Sequence, residues 1–306
     1  MPKAYGFREY GGPETQEWLD LPVPTPGPSE LLVAVHAAGV NPVDWKIRAG
    51  YLQSALRLEL PAVLGNEVSG VVEHVGRDVD GFAAGDQVLG VVAQGSGGYG
   101  EYALVTASTA TKKPPHLSFT DAAALPVAGG TAYDAMQQLA LPAGATLLIN
   151  GVGGGVGVIA AQLARDAGIT VIGTGSEAKR ALAESLDATL VTYGDGVAER
   201  VRQILPDGVD AVLDLVGGDA LRAVAGLARE GGRIVSTGDP QTAAEVGGSG
   251  VERNRSGEVL AALAHLVADR KIDPHVSDVR PLDHAAEALH GVEGGHSRGN
   301  VVLQVR

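Results

Sequence analysis

The chain has 306 residues, 45% of them hydrophobic and 19% charged, with a formal net charge of −13 and no cysteine. That length and balance describe a globular protein of about two domains. Disulfides, thiolate nucleophiles, iron–sulfur clusters and cysteine-ligated zinc are excluded, and a nucleic-acid partner is disfavoured, because binding phosphates takes a basic face.

Residues 1–120 read as β-rich. Strand-like runs begin at Leu31, Val68, Asp86 and Tyr99, each bounded by Gly, Pro or Asp turns. Many short strands with irregular turns predict a partly open barrel. The proline-rich piece at 22–28 lies between strands and reads as an ordered loop. From about residue 121 the rhythm changes. Apolar runs recur at 146–150, 170–174, 188–193, 211–216 and 233–237, with helical patterns between them. Short, nearly continuous apolar strands alternating with helices predict a parallel sheet covered on both faces. A helix near 256–269 closes this part; a short helix at Asp283–His290 and a strand at Asn300–Val305 follow, and the tail from 270 is expected to rejoin the first domain.

The most informative segment is Thr146-Leu-Leu-Ile-Asn150, followed by Gly151-Val-Gly-Gly-Gly-Val-Gly157 and then a helical run from Val158. Strand, glycine turn and helix together hold a pyrophosphate: the glycines admit it closely, and the helix N-terminus supplies free N–H groups and positive potential. The strict G-x-G-x-x-G spacing is not met; what stands is Gly151-x-x-Gly154-x-x-Gly157. The alternative is a tight βα turn with no ligand. At the tip of the second strand, Thr170-Val-Ile-Gly-Thr-Gly-Ser176 carries no carboxylate to hold ribose hydroxyls, and Lys179 follows close by. Small residues beside a cation suit a 2′-phosphate, so NADPH is expected over NADH. Glu177 lies in a first helical turn, where acids are common, and Lys179 itself could be a solvated helix residue with Ser176 its N-cap.

Other chemistries lack their signatures. There is no H-E-x-x-H, no G-x-S-x-G and no G-K-[ST] loop. His284, His290 and His296 are spaced six apart and share no helix face, so no metal site is expected. No apolar stretch reaches membrane-spanning length, no basic amphipathic run suits a membrane surface, and Met1-Pro-Lys-Ala-Tyr-Gly6 has no apolar signal core; a cytoplasmic protein is expected.

The chain resembles the medium-chain dehydrogenase/reductase superfamily, in its zinc-free quinone oxidoreductase (zeta-crystallin-like) branch. Seven segments carry the likeness in family order: Gly11–Glu14, Ala37–Lys46, Gly65–Gly70, Gly81–Val88, Leu125–Ala132, Gly151–Gly157 and Gly295–Val302. The resemblance implies an α/β architecture: a Rossmann doubly wound parallel sheet (121–269) inserted into a GroES-like β-rich catalytic domain (1–120 and 270–306), with NADPH in the cleft. It also implies a homodimer, through an edge strand near 245–255. In zinc-dependent relatives a Cys and a His stand at the places matching Asn41 and Asn66, and neither amide is a usual zinc ligand. Without a Lewis acid, alcohol oxidation is disfavoured, whereas hydride transfer to an activated quinone or enone needs only positioning.

The resemblance assigns Asn41 and Tyr51 to catalysis, with Asn41 also near the nicotinamide. Asn41 precedes Pro42 and could equally be a turn residue; Tyr51 could be a packed loop aromatic. Thr131 caps a helix, contacts the nicotinamide end, or both. The expected cofactor contacts are completed by Gly151, Gly153, Gly154, Gly155, Val156 and Gly157 in the turn, and Ser176, Lys179 and Tyr193 at the 2′-phosphate. Val216, Ser236, Thr237 and Gly238 follow at later strand ends, and Arg298 and Asn300 lie in the last motif. The expected activity is reduction of a quinone or enone; an enoyl-thioester reductase, or a catalytically idle NADPH-binding protein, are the alternatives.

Overall fold

Within residues 1–295 and 297–306, which the computed structural model describes, the chain divides into two units. The first comprises Met1–Ala128, Arg255–Arg270 and Val276–Arg306; the second comprises Gly129–Asn254 and Lys271–His275. His296 lies outside the described residues.

The first unit begins with β1 (Lys3–Phe7), β2 (Gln16–Asp20), β3 (Glu30–Val40), α1 (Pro42–Arg48), β4 (Ala62–Val63), β5 (Glu67–Val75), β6 (Gln87–Val92), β7 (Tyr102–Lys112) and α2 (Phe119–Ala123). β3 is its spine. One edge of β3 pairs with β5; the other is shared, Glu30–Ala34 pairing with β7 and Ala37–Val40 with the final strand of the chain. Because β5, β6 and β7 also pair in sequence, the strands close on β3 as a small barrel. Leu31, Val33 and Val35 alternate into its core beside Val68, Val72 and Val105, as a period-2 strand facing an apolar interior requires. The helix α1 follows β3 directly, capped at Asn41 and started by Pro42 at a position where a missing N–H costs nothing. At its other end Arg48, 1% exposed, donates from both terminal nitrogens to Glu293 and from Nε to the Gly11 carbonyl.

The second unit contains α3 (Gly130–Leu139), β8 (Thr146–Asn150), α4 (Gly155–Asp166), β9 (Thr170–Gly175), α5 (Arg180–Ser185), β10 (Ala188–Thr192), α6 (Val197–Ile204), β11 (Val209–Asp214), α7 (Gly218–Ala225), β12 (Ala228–Ser236), α8 (Pro240–Glu245) and β13 (Ser249–Gly250). Its six strands are all parallel, in the order β10-β9-β8-β11-β12-β13. Counted within the unit this is 3-2-1-4-5-6, the doubly wound order, whose crevice opens at the carboxyl ends of strands one and four. These are β8 and β11. Leu148, Ile172, Val191 and Val212 from four adjacent strands share one core cluster.

The chain then returns to the first unit with α9 (Gly257–Ala268), β14 (Val276–Pro281), α10 (Ala285–Glu293) and β15 (Asn300–Gln304). The apolar pattern of α9 is continuous with the nucleotide-binding half in sequence. In space α9 packs on β7, with Ala264 in a cluster with Leu89, Leu117, Ala122 and Leu125. Helix α2 likewise packs on β3 and β5. β14, which pairs parallel to β15, is announced by no alternating pattern, since its half-buried and exposed residues differ little in polarity.

Candidate functional site

In the second unit the residues expected to hold a dinucleotide gather at the carboxyl edge of the sheet. After β8 the chain turns through Gly151, whose φ of +96° suits glycine. It enters α4 with Gly154 as N-cap and no side-chain cap. The amides of Gly155, Val156 and Gly157 are therefore first-turn donors without helical acceptors. Gly157 lets the turn pack closely: a Cβ there would stand 2.4 Å from the Val152 carbonyl oxygen. Gly154 has no such reason for being bare, since its Cβ would meet only the Gly151 oxygen, 3.8 Å away, and its φ of −98° suits any residue. Open space and unclaimed donors at a twelve-residue helix fit a phosphate.

The neighbours assemble around this turn. The stem of Lys179 lies against Gly153, where a Cβ would be 2.5 Å from Lys179 Cδ. Ser176 follows β9 as the N-cap of a short 3-10 turn without a side-chain cap bond, and Tyr193 follows β10, its N–H donating to the Gly175 carbonyl at 3.2 Å. Tyr193 is 65% exposed. Glu177, the acid that follows the strand tip in sequence, is held bidentately by Arg180 at 2.6 and 2.8 Å. Val216, 55% exposed, has its Cγ2 beside Gly151, and Gly238 stands near the Val216 carbonyl. Thr237 bonds the Asp214 carbonyl, whereas Ser236 is wholly buried, its hydroxyl donating to Asp214 Oδ2 at 2.7 Å. Thr131 falls in the first turn of α3, one residue past its start, and accepts from Arg253 Nη1. The N-cap position belongs to Gly129 instead.

In the first unit Asn41 and Asn66 stand in a buried polar cluster. Asn41, 5% exposed, donates from Nδ2 to Glu67 Oε1 at 2.5 Å, and the Val127 N–H donates to Glu67 Oε2 at 2.6 Å. Asn66 Nδ2 donates to Asp44 Oδ1 at 2.6 Å, while Tyr99 Oη and the Asn41 N–H share Asp44 Oδ2. Burial pushes the Glu67 carboxyl up to about 8 against these donors, and Asp44 to about 6. Gly39 leaves space for Glu67, since a Cβ there would lie 2.0 Å from Oε1. The amide nitrogens at both positions are thus committed to carboxyl oxygens. Among the described residues no three His, Cys, Asp or Glu side chains form a metal-binding group.

Tyr51 lies in the turn after α1, 71% exposed, with its ring edge-on to Trp45 at 5.8 Å. The antiparallel register sets Val301 against Val40, so Asn300, the buried first residue of β15, and Asn41, just past the end of β3, each adjoin that pair. Arg298 is exposed in the preceding bend. Glu67, Asp44, Tyr99, Arg253 and Asp214 do not stand out in sequence, because none forms a spaced motif. Only Asn41-x-x-Asp44 carries a signal, that of a capping box.

The chain matches two family models: the alcohol dehydrogenase GroES-like domain over residues 27–115 and the zinc-binding dehydrogenase family over residues 186–303. It is 33% identical to a pig quinone oxidoreductase, covering 95% of this chain and 93% of that protein. It is also 33% identical to the tomato 2-methylene-furan-3-one reductase, covering 98% and 78%. Among solved structures, a mycobacterial protein in complex with NADPH superposes with a TM-score of 0.88 at 30% identity, with all of both chains covered.

Proposed function

The chain belongs to the quinone oxidoreductase branch of the medium-chain dehydrogenase/reductase superfamily, and on that premise we propose that it is an NADPH-dependent, zinc-independent reductase of a quinone or an α,β-unsaturated carbonyl. The observation that carries this reading is the edge of the second unit, where uncapped α4 amides, an open Gly154 and the Lys179 stem lie together. The relative solved with NADPH supports the cofactor. The pig quinone oxidoreductase and the tomato reductase support the two acceptor classes.

NADPH, when bound, supplies a hydride equivalent to an electron-poor carbon. The amides of Gly155, Val156 and Gly157 would hold its pyrophosphate, and Ser176, Lys179 and Tyr193 its 2′-phosphate. Glu177, engaged by Arg180, is not a free carboxylate facing that phosphate. Asn41 and Asn66 replace the metal ligands of zinc-dependent members. Their nitrogens, fixed on Glu67 and Asp44, leave this cluster without the thiolate and imidazole that suit zinc. The acceptor must therefore arrive already activated, as quinones and enones do. Tyr51 serves as proton donor to the enone α-carbon after hydride reaches the β-carbon; hydroquinone oxygens can take their protons from water. A homodimer joined at the β13 edge belongs to the same reading.

The test is a screen of quinones, enones and enoyl thioesters, following NADPH absorbance with and without a chelator. Turnover of quinones or enones that survives chelation is expected. NADPH binding with no turnover of any acceptor would make the protein an idle binder, and turnover confined to thioesters would make it an enoyl-thioester reductase.

A further inference from the structure

Asp214 closes β11 with a fully buried carboxylate, and among the described residues it has no ion-pair partner. Its charge is met by hydrogen-bond donors instead. Oδ1 accepts from Asn150 Nδ2 at 2.7 Å and from the N–H groups of Val216 and Gly217 at 3.2 Å each; Oδ2 accepts from Ser236 Oγ at 2.7 Å. The chain of bonds continues both ways. Asn150 Oδ1 accepts from Thr174 Oγ1 at 2.6 Å, and Thr174 Oγ1 accepts from the Gly151 N–H at 3.1 Å. Ser236 Oγ accepts from the N–H groups of Gly238 and Asp239, at 3.3 and 3.0 Å. Asn150, Thr174, Asp214 and Ser236 are all buried; Asn150, Asp214 and Ser236 end β8, β11 and β12, and Thr174 is the last residue but one of the adjacent β9.

A polar belt thus runs across the carboxyl edge of the sheet. Its central link, Asn150 to Asp214, spans the pair of strands between which the doubly wound order reverses. Burying a carboxylate without a cation is costly unless every lone pair is used. An apolar residue would pack the strand end without that cost. What the carboxylate adds is direction: it draws the 215–217 turn, the Ser236 turn and, through Asn150 and Thr174, the glycine turn onto fixed acceptors. We propose that Asp214 is a positioning residue for dinucleotide binding, whose carboxylate locks the turns after β8, β11 and β12 into one preformed edge. This rests on the cofactor reading above. Preformed turns leave less ordering to be done when the ligand binds, so loosening them should weaken affinity.

The test compares Asp214→Asn with Val212→Ala, a cavity in the core beneath the same strand that leaves the belt intact. NADPH dissociation constants are measured by fluorescence, at a temperature where circular dichroism shows each variant folded. Amide exchange of the cofactor-free proteins is followed over residues 150–157 and 214–218. Asp214→Asn is expected to raise the NADPH dissociation constant about tenfold, as for loss of one charge-assisted bond, and to speed exchange in both segments. Val212→Ala is expected to lower the melting temperature with affinity within about twofold. Should Asp214→Asn not fold, Thr174→Val, which cuts only the Gly151–Thr174–Asn150 arm, is expected to weaken NADPH binding and speed exchange at 150–157. Unchanged affinity and exchange in the folded belt variant, or an equal loss of affinity in Val212→Ala, overturns the positioning role. Failure of the wild-type protein to bind NADPH overturns the cofactor reading, and the positioning role with it.

Discussion

Lys179 and Tyr51 are the side chains on which the proposed chemistry is easiest to test. Lys179 reaches the glycine turn through its stem against Gly153. Its replacement by alanine is expected to raise the Michaelis constant for NADPH roughly ten- to a hundredfold, the loss of about 1.5–3 kcal/mol for one charge-assisted bond. The constant for NADH should hardly change, and equal effects on both cofactors would show that Lys179 does not read the 2′-phosphate. Tyr51→Phe is expected to slow enone reduction by about 100-fold, the usual reach of a general acid, and quinone reduction far less. Paired kinetics on one enone and one quinone check this; a parallel fall in both rates would reduce Tyr51 to a wall of the site. The glycine turn, Lys179 and Tyr193 are legible in sequence because each follows a strand whose apolar run is unmistakable. Asp44, Glu67 and Asp214 are not, because their roles come from burial and from partners 22 to 64 residues away.

Turns and helix ends carry much of what holds the second unit's edge in place. Asp239 caps α8, accepting from the Thr242 N–H and hydroxyl, and its Oδ2 also takes the Gly218 N–H at 3.0 Å. These donors hold its carboxyl down at about 2. A folded-state value below the unfolded one, which is about 4, means the stabilisation is complete above the unfolded value and drains away as pH falls from about 4 to 2. Asp239→Asn is therefore expected to cost about 1 kcal/mol at neutral pH, after discounting for exposure, and almost nothing near pH 2. Thermal unfolding at both pH values measures it, and an equal loss at each would show that the charge is not what stabilises. The elements themselves divide in legibility by period. The parallel strands β8 to β11 announce themselves, but β12 begins earlier than its apolar run, with Arg229, Glu230 and Gly231 exposed. The short β1, β2 and β4, and the seven-residue α1, carry too few residues for a period to show.

For the whole chain, two folding patterns meet in one sequence, a small closed barrel and a doubly wound sheet. The switch from period-2 strands to alternating strand and helix makes the two patterns legible in the sequence. The placement of α9 was not, since a helix with apolar residues nearly all round packs as well on one core as on another, and only the cluster around Ala264 decides it. The proposed reaction requires that a hydride equivalent leave NADPH and arrive at carbon, with the proton supplied separately. The most direct measurement uses NADPH deuterated at the transferring position of nicotinamide C4, an enone, and protein dialysed against a chelator, with the product examined by NMR. One deuterium at the β-carbon and solvent hydrogen at the α-carbon is the expected result. Deuterium on the carbonyl carbon, giving an alcohol, or deuterium retained in the cofactor with neither the enone nor a quinone reduced, would contradict it.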